Sequence, residues 1–251
     1  MATHIPANIR SQAMGRMASK PRCPDLTMLT DLQQQVAQIV AGVLAADDVG
    51  LAGGGALICQ GLVDRLTRDL DYFGTPGFAL SDFAPQIILA LVDVGLEVDV
   101  KRRANTFFRL AIKGADDETE LDLAIDARLF PLVESDFGRV LSPLELATDK
   151  VLAIFGRAEP RDFVDLATMV EIFDLSELFN FARQKDPGFT PEAFAAMSHR
   201  IEVLPQEEFD LDEDSYVALL SRVATWQELV RGQIKSPEMD RGRGQSHGID
   251  I

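Results

Sequence analysis

The sequence predicts an α/β protein, a small mixed-sheet core followed by a C-terminal helical domain. Three observations carry this. Between residues 25 and 140, segments of helical and strand periodicity alternate. Three of the strand-like runs follow one another across short polar breaks, which suits antiparallel pairing. Beyond residue 140, apolar residues recur at three and four positions, the spacing of a helix face. The expected organisation is a flexible basic tail at 1–24, the core at 25–140, the helical domain at 141–235 and a polar tail at 236–251.

The elements follow in order. "LTDLQQQVAQIVAGVLAAD" places Leu32, Val36, Ile39, Val40, Val43 and Leu44 on one helical stripe. "VGLAGG" is a short buried strand running into a glycine turn, "ALICQGLVDRL" a helix and "RDLDYFG" a second strand. "LSDFAPQIILALVDVG" is helical, with Gly95 placed to end it. "LEVDVKRR", "TFFRLAIKG" and "TELDLAIDARL" are the three strand-like runs. "SPLELATDKVLAIFGR" opens the helical half with Ser142 as N-cap, Pro143 behind it and Glu145 completing a capping box. Further helices are expected in "PRDFVDLATMVEIF", "DLSELFNFARQK", "TPEAFAAMSHRIEVL" and "DEDSYVALLSRVATWQELVRG", the last carrying Trp226 on the stripe of Leu219, Val223 and Val230.

Charge and cysteine content exclude several classes. Forty acidic residues against 24 basic ones give a formal charge of −16, which argues against broad nonspecific nucleic-acid binding, since that needs Lys and Arg to displace counterions. A local basic strip is still compatible with it. Cys23 and Cys59 form neither a disulfide framework nor a metal cluster, so a cytoplasmic location is expected. His4, His199 and His247 make no ligand pair, which leaves little support for a histidine–zinc or Ser-His-Asp mechanism. No apolar run reaches the roughly 18–20 residues of a membrane span, and no partnership with a membrane is expected.

Chemistry concentrates in "LAGGGALICQGLVDRLTRDLDYFG". On a strand, Asp69 and Asp71 face the same side, with Leu70 pointing into the core. Two adjacent carboxylates repel unless a cation lies between them. Mg²⁺ takes a few carboxylates and fills its other positions with water and substrate phosphate. Gly53, Gly54 and Gly55 before a helix offer backbone N–H groups to an anion. In "TELDLAID", Glu120, Asp122 and Asp126 share a face, and Asp122 becomes a third ligand if this strand lies beside that of Asp69 and Asp71. Each feature alone is equally a tight turn or a solvated strand face. Only the combination points to a site. Farther on, Lys150, Ile154 and Arg157 share a helical face, as do Asp162 and Asp165. Lys150 is a candidate to neutralise triphosphate charge, and Arg161 to pair with a carboxylate or phosphate.

"GGGAL" followed by "RLTRDLDYF" resembles the motif Gly-Gly-Thr/Ser-Ala-Leu…Arg-x-Ser/Thr-x-Asp-Leu-Asp of the AbiEii-type nucleotidyltransferase toxins, within the polymerase-beta-like nucleotidyltransferase superfamily. "DKVLAIFGRAEPRDFVDLATM" is similar to that family's second signature, a lysine, then Ala, then Arg, then Arg-Asp-x-x-Asp-Leu. The resemblance runs from Leu51 to Met169. It implies nucleotide-binding roles for Gly54, Gly55, Arg65, Thr67 and Lys150, metal ligation by Asp69 and Asp71, and site roles for Lys150 and Asp162. Gly55 departs from the pattern, which usually has Thr or Ser there, and the loss of a phosphate-binding hydroxyl implies weaker nucleotide affinity.

The resulting expectation is a metal-dependent nucleotidyltransferase that moves an NMP from an NTP to an acceptor. Mg²⁺ or Mn²⁺ is the cofactor, Asp122 is a third ligand or a base, and Asp162 holds Lys150 or Arg161 in place or contacts the nucleotide. The resemblance implies RNA as acceptor, such as a tRNA 3′ end, and an antitoxin protein as partner. Candidate RNA contacts are Lys101, Arg102, Arg103, Arg109 and Lys113, with the basic arm Arg10 to Arg22. The alternatives are a catalytically silent nucleotide-binding module, an interaction domain with solvated carboxylates, and transfer to a protein or small-molecule hydroxyl.

Overall fold

The computed structural model describes residues 28–235. The two expected tails, and with them the basic arm, lie outside the described residues. The chain divides into two compact units, the first ending at Asp149 and the second beginning at Lys150.

The first unit opens with helix α1 (Asp31–Val43), started by a capping box in which the Thr30 hydroxyl accepts from Gln33 N–H and the Gln33 side chain accepts from Thr30 N–H. Strand β1 (Val49–Ala52) is buried along its whole length and runs directly into helix α2 (Gly53–Cys59). Strand β2 (Asp69–Gly74) follows, then helix α3 (Leu80–Asp93). Strands β3 (Glu97–Ala104), β4 (Phe107–Lys113) and β5 (Glu118–Ile125) pair antiparallel in sequence, as their polar breaks predict. Two strands of three residues each, β6 (Val133–Ser135) and β7 (Gly138–Val140), complete a mixed sheet in the order β3-β4-β5-β2-β1-β7-β6.

Alternation sorts this sheet into two faces. Leu70, Tyr72, Leu110, Ile112, Leu121 and Leu123 are buried on one of them, where α1 and α3 pack. Each such side chain contributes about 1.5–3 kcal/mol by leaving water. The Tyr72 phenol donates to the Ala37 carbonyl of α1, and burial pushes its pKa upward. Asp69, Asp71, Glu120 and Asp122 occupy the other face by the same alternation.

Helix α2 is shorter than its sequence suggested. Rather than running to Leu66 it stops at Cys59, because Gly61 takes φ +65° and the N–H groups of Gly61 and Leu62 close back onto Ile58 and Leu57. Helix α3 ends in the same way at Gly95, with φ +88° and its N–H bonded to the Val92 carbonyl. The glycines expected in a turn before α2 are its first three residues.

Helix α4 (Pro143–Gly156) contains the boundary between the units. Its Ser142 hydroxyl accepts from Glu145 N–H, as the proline-and-serine start predicts. The buried Glu145 carboxylate also accepts from the N–H groups of Leu129 and Phe130. The second unit continues with helices α5 (Pro160–Met169), α6 (Leu175–Lys185), α7 (Pro191–Ser198) and α8 (Glu213–Lys235), with short 3₁₀ turns at His199–Glu202 and Gln206–Phe209. Its core is aromatic. Phe179 and Phe194 lie edge to face at 5.0 Å, and Phe194 meets Trp226 at 6.3 Å. Leu219, Val223 and Val230 are buried with Trp226, as their helical stripe predicts.

Candidate active site

The parallel pairing of β2 with β5 sets Asp71 directly opposite Asp122 and Asp69 opposite Glu120. That register satisfies the condition under which Asp122 joins the Asp69 and Asp71 face. Asp126, expected on the same face, falls beyond the end of β5 and its carboxylate accepts from Ala127 N–H.

The approach to β2 is tied down by small polar contacts. Thr67 donates its hydroxyl to Asp69 Oδ1 at 3.0 Å, and its carbonyl accepts from the Gln33 side chain at 3.0 Å. The residue expected to touch nucleotide therefore positions a carboxylate. A Cβ added to Gly54 would lie 2.9 Å from the Thr67 hydroxyl and 3.0 Å from the Arg65 guanidinium, so Gly54, Arg65 and Thr67 form one cluster.

Gly53 has the sharpest requirement. Its φ is +56°, and a Cβ there would overlap the Asp71 carboxylate oxygen. Gly53→Ala is expected to combine backbone strain with expulsion of the Asp71 carboxylate, costing about 1–2 kcal/mol from the backbone alone. A thermal melt of the variant checks this, and a melt equal to that of the unaltered protein contradicts it. Gly55 corrects an expectation. A Cβ there would point at Leu70 and Leu51, at 3.2 and 3.4 Å. A hydroxyl at this position would enter the apolar core, so its absence removes nothing from a phosphate site.

Asp122 is only 6% exposed and is gripped at both oxygens by Arg109, whose Nε and Nη2 donate at 2.8 and 2.6 Å. Hydrogen bonding to Asp122 raises the Arg109 pKa above its ordinary value. Sequence reasoning placed Arg109 in an RNA strip and missed this pairing. The signal was in the β4–β5 register, which sets Arg109 opposite Asp122. Lys101 pairs with Asp99 at 2.6 Å and Lys113 with Glu118 at 3.6 Å. Arg102 lies over the Phe107 ring and Arg103 over the Phe108 ring, at 5.2 and 5.6 Å. Of the five expected cations Arg109 is committed to a buried carboxylate, while Lys101 and Lys113 keep exposed side chains in weak surface ion pairs.

The donor set fits a divalent cation held by few protein ligands. Two carboxylates two residues apart on a strand match the preference of Mg²⁺ for one or two carboxylates with water and phosphate around them. Among the described residues, no group of three or more His, Cys, Asp or Glu side chains is placed to hold a metal ion. With Arg109 on Asp122, a third carboxylate ligand is not preassembled.

In the second unit, Lys150 is 6% exposed, and its ammonium lies 3.2 Å from Asp162 and 2.8 Å from Asp165, both fully buried. Arg157 donates to both Asp162 oxygens at 3.0 and 3.1 Å. Asp162 also accepts from Glu159 N–H, capping α5. Burial alone would raise the Asp162 pKa, but the Lys150 charge and the Arg157 hydrogen bonds prevail and lower it. Arg161, the other cation considered for Asp162, pairs with Glu159 at 3.2 Å.

A mixed sheet carrying paired strand aspartates, followed by a helical C-terminal part, is the fold of a nucleotidyltransferase. JHP933 from Helicobacter pylori superposes with a TM-score of 0.50 at 19% identity, over 83% of this chain and 97% of its own. MenT4, a nucleotidyltransferase toxin from Mycobacterium tuberculosis H37Rv, superposes with a TM-score of 0.53 at 15% identity, over 91% and 90%. The family model described as "Nucleotidyl transferase AbiEii toxin, Type IV TA system" matches residues 43–235, and the chain belongs to this family of nucleotidyltransferases. No curated protein matches the chain. Among the described residues, no helix is long and apolar enough to cross a membrane.

Proposed function

We propose that this nucleotidyltransferase works with a divalent cation, Mg²⁺ or Mn²⁺, held by Asp69 and Asp71, and that it transfers an NMP from an NTP to RNA. The observation that carries the reading is the register of Asp71 against Asp122, with Gly53 leaving room for the Asp71 carboxylate. When bound, the cation would neutralise phosphate charge and favour departure of pyrophosphate.

The chain's own residues do the rest. Thr67 fixes one Asp69 oxygen and so orients the carboxylate. The missing Cβ of the buried Gly54 lets the Thr67 hydroxyl and the Arg65 guanidinium pack against the start of α2, which keeps a cation there for a phosphate. Asp122, once released by Arg109, is the candidate third ligand or the base that takes a proton from the acceptor hydroxyl. Lys150 and Asp162 serve within the second unit, where their buried ion pairs tie α4 to α5. This bracing role replaces the direct phosphate contact first considered for Lys150.

For the acceptor, we favour RNA, with a tRNA 3′ end as the specific candidate, and an antitoxin as the cognate protein. Arg102 and Arg103 on the exposed edge strand β3 supply cations to a single strand, and the part-buried Phe107 beside Arg102 supplies ring surface. The test incubates the protein with each α-labelled NTP, Mg²⁺ and total tRNA. Label in tRNA supports the reading, and label only in protein or in a small molecule moves the acceptor to those classes. RNA binding measured against salt is expected to lose roughly 0.7 in log–log slope for each of Arg102 and Arg103 replaced by Gln. An unchanged slope removes them from the RNA surface.

A further inference from the structure

Arg109 stands at the centre of the carboxylate face, and its choice of partner decides what that face can hold. Across three adjacent strands one row runs Arg109, Asp122, Asp71, and the next runs Ala111, Glu120, Asp69. The guanidinium bonds both Asp122 oxygens and lies 3.7 Å from Glu120. It therefore puts a positive charge where a metal approaching Asp122 would have to sit. The two partners differ in freedom. The Asp122 side chain is 9% exposed, whereas that of Arg109 is 42% exposed. Asp122 cannot turn to water, but Arg109 can swing away.

We infer that Arg109 is a positioning residue that holds Asp122 out of the metal set in the free protein and releases it when metal and nucleotide arrive together. A guanidinium fork fits phosphate as well as it fits carboxylate, so the incoming triphosphate offers Arg109 a replacement partner. The third carboxylate is thereby added only when substrate is present. This rests on the reading of Asp69 and Asp71 as a metal seat.

The test is Mn²⁺ binding to the full chain without nucleotide, followed by the electron paramagnetic resonance of free Mn²⁺. Arg109→Gln is expected to bind Mn²⁺ about tenfold more tightly than the unaltered protein, because a further carboxylate charge joins the ligand set. Adding Asp122→Asn to that variant should return the affinity to its starting value. The double variant carries the same net charge at this pair as the unaltered protein, so equal affinity in the two means that Asp122 is not a ligand in the free protein. The inference is overturned if Arg109→Gln binds no more tightly, or if the double variant binds more weakly than the unaltered protein. Should Arg109→Gln fail to fold, the double variant, which leaves no buried carboxylate unpaired, still makes the comparison, and weaker binding there overturns the inference. Asp71→Asn separates the two claims. If it leaves Mn²⁺ binding intact, the metal seat itself is wrong. If it weakens binding while Arg109→Gln brings no gain, only the role of Arg109 fails.

Discussion

Asp71→Asn is expected to reduce NMP transfer by at least about a thousandfold, equivalent to roughly 4 kcal/mol of barrier. Asparagine keeps the shape of the side chain and removes the charge that holds a divalent cation beside the Asp69 carboxylate. The loss should come without unfolding. Asp71 lies on the half-exposed face of β2, and the buried Leu70 and Tyr72 on the other face are untouched. Circular dichroism and a thermal melt establish that the fold is kept, and single-turnover transfer measures the loss. Transfer within tenfold of the unaltered rate, in a folded protein, would remove Asp71 from the metal seat.

Lys150→Met should act on stability. It leaves Asp162 and Asp165 buried with one cation fewer, and removing one partner of a buried ion pair costs about 3–5 kcal/mol. Amide hydrogen exchange in α4 and α5 is the suitable readout, because it reports on the unit that holds the network. Protection unchanged in the variant contradicts the bracing role. The same network makes a prediction about pH. The folded Asp162 pKa lies below the ordinary value of 3.8, so the folded state binds fewer protons in that range. Its contribution is fully present above the unfolded value and is lost as pH falls through the folded value. Protection of α4 and α5 should therefore be flat down to about pH 5 and decline below it, and less steeply in Lys150→Met. A contribution from this network that instead grows on acidification would show the sign to be wrong.

What could be read in the sequence was what depends on local period and spacing. Asp69, Leu70 and Asp71 alternate as any strand must, so the shared face of the carboxylates followed from two-residue periodicity. The run of β3, β4 and β5 followed from turn chemistry, and Trp226 from its helical stripe. What escaped depends on contacts between distant segments. Nothing local distinguishes Arg109 from Arg102, yet one bonds Asp122 and the other lies over Phe107. Gly55 looked like a phosphate ligand short of a hydroxyl until the direction of its missing Cβ placed it against Leu51 and Leu70. Strands β6 and β7 are too short to produce a period and are held by pairing with each other and with β1. The hold of Asp162 on Lys150 was expected from the second motif, whereas the further pairing of Lys150 with Asp165 was not.

The central claim is that Asp69 and Asp71 hold the cation that seats the triphosphate. It is tested most directly by titrating a non-hydrolysable NTP analogue into the full chain by calorimetry, with Mg²⁺ and with the metal chelated, in the unaltered protein and in Asp69→Asn/Asp71→Asn. The account predicts binding that requires Mg²⁺ and disappears in the double variant. Binding that persists without metal, or that survives in the folded double variant, would contradict it.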